Sequence, residues 1–454
     1  MKYLNNMYKL LLFLSLEKLI LSFIKLPLFT YHSSPPNKTY EDSYLKYFSE
    51  NNIYTYLNIG SPSQKIAATL NFNDNKFYIY NNRCELISFF NINESNSYSI
   101  TPNGNLFTDI YAYTYLVNDT FSLDINKNTN NILTYLFSPL NKDKTEKSLQ
   151  ISPYTCAQIG LKLSNPEDKS YKYNFIIEIK KANLIDDYTF FVEYDKNDEE
   201  KGNLIIGIKP YEYDNKKYKY IQLKEIYSDK DSGQYWGIKF DLIYSKKIEG
   251  NDTEYTNCSF SELNAGLDHN LNVIYATEEY RDFIEKYFLK EKIDKKLCQK
   301  NYLKNNKINY ECNNLEDIKQ FPTLYLYRRN LGYTFELDYN DIFTEYNGKY
   351  ISLIWIDMSS RKNWVLGKPF LKKYFFYFSL EKKIIGFFNQ NIKENENESN
   401  DKFKNFLYIS LILLLLIIIG VLGYFMAKVI YKYRNSRQKG DELIDEDEDE
   451  DINE

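Results

Sequence analysis

The chain has 454 residues, a formal charge of −5 and 26% charged residues, enough length for more than one compact lobe. Ten acids crowd into residues 441–454, and setting them aside turns −5 into +5 for all the rest. So thin a positive excess excludes the concentrated basic face that nucleic acid requires, and no nucleic-acid partner is expected. With only His32 and His269, a metal site built on several histidines is excluded as well. No phosphate loop, zinc-ligand spacing or dinucleotide fingerprint occurs, and no cofactor is expected.

At the N-terminus, Lys2 and Lys9 precede the apolar stretch 10–16, and Glu17 and Lys18 separate it from a second apolar patch at 19–28. Residues 1–28 read as a signal peptide or signal anchor, with cleavage before Tyr31. Residues 29–49 are polar with a Pro-Pro break, a linker or prosegment. From there the texture is short alternating runs of aromatic and β-branched residues, as at 190–193, 203–208, 235–243, 325–327 and 383–388. This spacing predicts a β-rich region, divided here into lobes at 50–225 and 226–392. One helix is predicted at 277–289, with Tyr280, Phe283, Ile284, Tyr287 and Phe288 on one face.

Residues 393–405 form a polar stalk, and 406–427 a transmembrane helix. Its uncharged core, 406–426, covers roughly 30 Å at 1.5 Å per residue, the thickness of a bilayer interior. Tyr408, Tyr424 and Tyr431 stand near its ends, and Lys428, Lys432, Arg434, Arg437 and Lys439 follow it. The basic flank places the acidic tail, 428–454, in the cytoplasm of a single-pass type I membrane protein of the secretory pathway or cell surface. All five cysteines are then exported. Cys298 and Cys312 are close enough in sequence for a local bridge, and Cys84, Cys156 and Cys258 leave one odd thiol. Sequons occur at Asn37, Asn93, Asn118, Asn251, Asn257 and Asn397.

Three separated stretches carry a family pattern. YLNIGSPSQ (56–64) is similar to a strand and turn with the form apolar-x-Ile-Gly-x-Pro-x-Gln, and FNINESNSY (90–98) to Phe-x-Pro-x-x-Ser-x-Thr-Tyr. AQIGL (157–161), GNLIIG (202–207) and YWGI (235–238) follow in the family order. NWVLG (363–367), FLKKY (370–374) and IIGF (384–387) then match its closing run, with Ser379 where an Asp is usual, and Phe321-Pro322 precede them. In order and spacing over roughly residues 50–390, these resemble the pepsin-type aspartic peptidases. The resemblance implies an all-β, bilobal fold with a cleft between the lobes, here followed by the C-terminal transmembrane helix.

Continued without a gap, the family's first Asp-Thr-Gly-Ser falls on Asn71, Phe72, Asn73 and Asp74. The second falls on Asp268, His269 and Asn270, or alternatively on Asn264, Ala265 and Gly266 with the following apolar run displaced. Such enzymes activate one water between two carboxylates that share a proton. The resemblance therefore makes Asn71 and Asp268 the catalytic positions of a degenerate dyad, since a carboxamide neither takes nor releases a proton near neutral pH. It also places Phe72, Asn73, His269 and Asn270 against the substrate, with Phe107 nearest to the flap tyrosine.

Three functions remain open at this level. One is a pseudoprotease holding an extended peptide or protein ligand in the cleft. Another is a divergent, active endopeptidase whose second carboxylate is Asp74. In the last, the ectodomain is structural and the acidic tail recruits a basic cytosolic partner.

Overall fold

Burial alternates along some strands, as over residues 24–28, and is continuous along central ones, as at Phe77–Tyr80 and Ala157–Gly160. In a computed structural model of the chain, residues 22–31, 52–80, 90–100, 107–109, 112–122, 131–138, 155–163, 173–195, 198, 201–218, 222–227, 236–249, 252–254, 263–303, 306–359, 363–389 and 422–432 are described. The strands that position the site run, in chain order, β1 (Ile24–Tyr31), β2 (Asn52–Ile59), β3 (Gln64–Asn71), β4 (Phe77–Tyr80), β5 (Ala157–Gly160), β6 (Thr189–Tyr194) and β7 (Lys201–Ile206). They continue as β8 (Gln222–Tyr227), β9 (Leu263–Leu267), β10 (Ile274–Ala276), β11 (Trp364–Leu366), β12 (Phe376–Ser379) and β13 (Ile384–Asn389).

One large sheet runs β8-β13-β12-β6-β7-β1-β2-β3-β5-β4 and on through Asn131–Ser138, Ala112–Ser122 and Ser99–Ile100. The last strands of the chain thus return to pair with its first half: β12 lies against β6 and β13 against β8. The expected lobe boundary at 225 falls inside β8, and the expected leader boundary at 28 falls inside β1. β1 is a full member of the sheet. Ile24, Leu26 and Leu28 are buried on one face while Lys25 and Pro27 are exposed on the other, and it bonds to both β7 and β2. Residues 1–21 and 32–51 lie outside the described set.

A second sheet runs Gly237–Phe240, β9, β11, β10, Ile354–Asp357, Lys307–Cys312, Lys349–Ser352 and Phe343–Tyr346. It repeats a device of the first. β5 lies between β3 and β4, parallel to β3 and antiparallel to β4, with Asn71 opposite Gly160. β11 lies between β9 and β10 in the same senses, with Leu267 opposite Leu366. Each middle strand leads into a glycine under the returning turn. A Cβ on Gly160 would meet Asn75 C and Lys76 N at 2.4 Å, and one on Gly367 would meet Val273 O at 2.2 Å and Leu271 O at 2.4 Å. Those are backbone atoms, which cannot swing aside. Hence both halves need glycine at this point.

The predicted helix is present from Glu278, but its face is shifted. Glu278–Ile284 is α-helical, Glu285–Leu289 makes a π turn and Lys290–Asp294 is α-helical again. The extra residue in the π turn rotates the face by one position. Phe288 and Leu289 therefore go inward beside Tyr280, Phe283 and Ile284, while Tyr287 is left exposed.

Cys298 and Cys312 stand opposite each other on paired strands and are bridged, and Cys156 is also disulfide-bonded. Cys84 and Cys258 lie outside the described residues, as does most of the apolar run 406–426, of which 422–426 are helical. Among the described residues no helix is long and apolar enough to cross a membrane. The stalk, 393–405, and the acids of the tail lie outside them too.

The glycine crossings make a direct prediction. Gly367→Ala should cost about 3 kcal/mol or more in urea unfolding, because the clash is with main chain. Gly266→Ala, one strand away and with nothing within 4 Å of its Cβ, should change stability by less than about 1 kcal/mol.

Candidate functional site

The two repeated turns carry the site. β3 ends on Asn71, whose Oδ1 accepts the Asn73 N–H at 2.8 Å. β9 ends on Leu267, and Asp268 opens the second turn, its Oδ1 accepting the Asn270 N–H at 2.9 Å. The same bond, from the side-chain oxygen to the N–H two residues on, shapes both turns, so Asn71 and Asp268 are corresponding residues. The Asp268 N–H donates to Leu366 O at 3.1 Å, fixing the turn to β11. Ala265 and Gly266, the alternative placement, lie within β9 opposite Ile238 and Gly237 and form no turn.

Across the two turns the polar link is made by Asn73, not by Asn71. Its Nδ2 donates to Asp268 Oδ2 at 3.0 Å. The family resemblance places Asn73 against the substrate, at the position where the family has glycine. That its carboxamide reaches the opposite carboxylate is a finding of the fold. Asp268 is 7% exposed, whereas Asn73 is open to solvent.

Phe72 and His269 correct the expectation that they face a ligand. Each is 1% exposed, and their rings meet at 4.7 Å beneath the turns. Around them pack Phe190 of β6, Phe378 of β12 and Trp236, with Phe190 and Phe378 stacked at 5.0 Å and Trp236 at 5.0 Å from Phe378. Trp236 also donates its Nε1–H to Leu161 O at 2.7 Å. The two turns are therefore tied below by aromatic contact where the family uses threonine hydroxyls.

Asn270 is half-buried, and its Oδ1 is enclosed without a hydrogen-bond partner among the described residues. Phe107 belongs to a short strand, Phe107–Asp109, that pairs with residues 112–114 as a hairpin, and its side chain lies outside the described set. Asp74, offered by the sequence as a second carboxylate, is turned into its own half. Its Oδ1 accepts from Lys76 N–H at 3.1 Å and its Oδ2 from Gln158 Nε2 at 3.0 Å.

The sequence profile of the eukaryotic aspartyl proteases matches residues 53–390, a span that contains both repeated turns. The chain belongs to that family. It is also 27% identical over 217 residues to plasmepsin IV of Plasmodium falciparum, in each of two isolates. The matched part is 47% of this chain and 41% of each relative, so the match spans about two fifths of the curated relatives' length. The fold is accordingly mostly β and pepsin-like, with two lobes. Where the two repeated turns face each other, the carboxylate of Asp268 on one meets the carboxamide of Asn73 on the other.

Burial dominates the electrostatics. It pushes the Asp268 carboxyl above the ordinary carboxylate value, and the Asn270 N–H and the Asn73 amide pull back only part of the way. Burial pushes His269 down to about 3, helped by the Lys368 cation, while its Nδ1 shares a hydrogen bond with the Tyr194 hydroxyl at 2.6 Å. The signs are opposite. The folded state holds the Asp268 proton more tightly than the unfolded chain, so that group's contribution to stability falls as pH rises through its raised pKa. It releases the His269 proton more readily, so stability is lost as pH falls from about 6.5 toward about 3.

Urea melts across pH should separate the two. Asp268→Asn should raise stability near neutral pH, with the gain shrinking in acid. His269→Phe, which keeps a ring in the aromatic contact, should flatten the acid limb, worth on the order of a few kcal/mol. Parallel curves for wild type and both variants would contradict the burial of these groups.

Proposed function

We propose that this chain is a membrane-anchored aspartyl protease homologue that no longer hydrolyses peptides and instead holds an extended peptide or protein segment between its lobes. The observation that carries it is the state of the centre. Asp268 faces an amide donor from the opposite turn, and both its oxygens accept N–H groups. Amide hydrolysis by this family's route needs two carboxylates close enough to share a proton, one to take a proton from water and the other to give one to the carbonyl. Neither Asn71 nor Asn73 can do either. Losing one member of such a set removes about 10⁴-fold or more of the rate. The position of Asp74 against Gln158 also speaks against its replacing the missing acid.

What survives suits binding. An extended ligand can be held by main-chain hydrogen bonds to strand edges, with no proton transfer involved. The membrane part of the reading rests on the uncharged run 406–426 and the basic residues after it, which favour a lumenal or surface-facing body with a cytoplasmic tail.

Purified protein should leave unstructured peptide libraries intact from about pH 3 to about pH 7, while binding some of them with Kd on the order of micromolar. Cleavage that disappears in Asp268→Ala would overturn the proposal. Separately, the expressed chain should stay with the membrane pellet in alkaline carbonate. Its release into the supernatant would remove the anchor.

A further inference from the structure

The two oxygens of Asp268 are not equivalent. Oδ1 is used within its own turn, by the Asn270 N–H at 2.9 Å. Oδ2 is the oxygen left for whatever approaches from the other half, and the Asn73 Nδ2 stands 3.0 Å from it. That is the separation at which a water or a ligand hydroxyl would sit as a hydrogen-bond donor. Asn73 is held in place from behind, since its own N–H donates to Asn71 Oδ1 at 2.8 Å. It is also the outer member of the pair. Asn73 is exposed, while Asp268 lies beneath at 7% exposure.

We propose that Asn73 is an internal cap on Asp268: its carboxamide takes the donor position against Oδ2, and a ligand can donate to that oxygen only by displacing it. This rests on the non-hydrolytic reading of the site and deepens it. The cap also defines the ligand class. A peptide that binds without moving Asn73 crosses the centre with nothing donated to Asp268. One that carries a hydroxyl at its middle competes with the chain's own amide and gains little, because one hydrogen bond is exchanged for another. The exposed Asn73 side chain can turn away without disturbing the aromatic contact below, provided the incoming ligand supplies the donor that Oδ2 then lacks.

The experiment compares two synthetic peptides, one with a statine hydroxyl at its centre and one with that hydroxyl deleted, binding to the full-length chain in calorimetry. Wild type should bind the two within about twofold of each other. Asn73→Gly should favour the hydroxyl peptide by about tenfold or more, the equivalent of one hydrogen bond to a charged or polar partner. Asn73→Ala, which removes the amide without loosening the turn, should show the same preference. Adding Asp268→Ala to either should erase it.

Discrimination already present in wild type, or absent from both Asn73 variants, would overturn the cap. The non-hydrolytic reading fails on a different result, cleavage of peptides by wild type. Variants that neither cleave nor discriminate therefore count against the cap alone.

Discussion

A carboxylate taken almost wholly out of water must find donors or give up its charge. Asp268 is in that position, at the start of a turn pinned to β11 and roofed by the opposite turn. One donor comes from its own backbone two residues on, a bond that any residue type at 270 except proline could supply. The other must come from across the lobes, and the site it comes from decides the chemistry. A carboxyl there would compete for one proton and make a titrating pair. An amide there supplies a hydrogen and takes nothing back. The scaffold that places two turns face to face is thus kept, with a hydrogen bond from an amide at the place where they meet.

The aromatic contact below the turns belongs to the same exchange. Hydroxyl ties across two loops depend on angle and distance, whereas stacked rings hold over a wider range of geometry, each pair contributing about 0.5–1.5 kcal/mol beyond its burial. Phe72 packs against both Phe190 and Phe378, and His269 against Phe378, the two phenylalanines coming from paired strands of the sheet that joins the halves. The turns are therefore fixed to the central sheet from beneath. Substituting rings for hydroxyls removes a polar network and keeps the register, which explains how Asn71 and Asp268 remain corresponding residues although the residues beside them differ so much from the family pattern.

Much of the architecture was legible because it is local. Alternation marked Thr189–Tyr194, Thr323–Arg328 and Ile384–Asn389, and the glycines of the AQIGL and NWVLG runs stand where the crossing admits no Cβ. β1 was hidden inside what reads as a leader, although Lys25 and Pro27 interrupt its apolar residues with the period of a strand. The π turn shifted the helix face by one residue, an effect that a period of 3.6 cannot anticipate. The bond between Asn73 and Asp268 spans 195 residues and rests on register in two separate sheets, so no window of sequence could contain it.

Burial moves Asp268 and His269 in opposite directions on the pH scale, yet in each case toward the uncharged form. A hydrolytic centre of this family works by the reverse arrangement, in which two acids are placed so that a single charge and a single proton are always present together. Here the carboxyl is desolvated beside amides, and the imidazole is enclosed between rings and a tyrosine hydroxyl. Such surroundings suppress charge on both. A centre that disfavours charge on both groups lends support to the proposed non-hydrolytic role, in which a peptide is held without proton transfer.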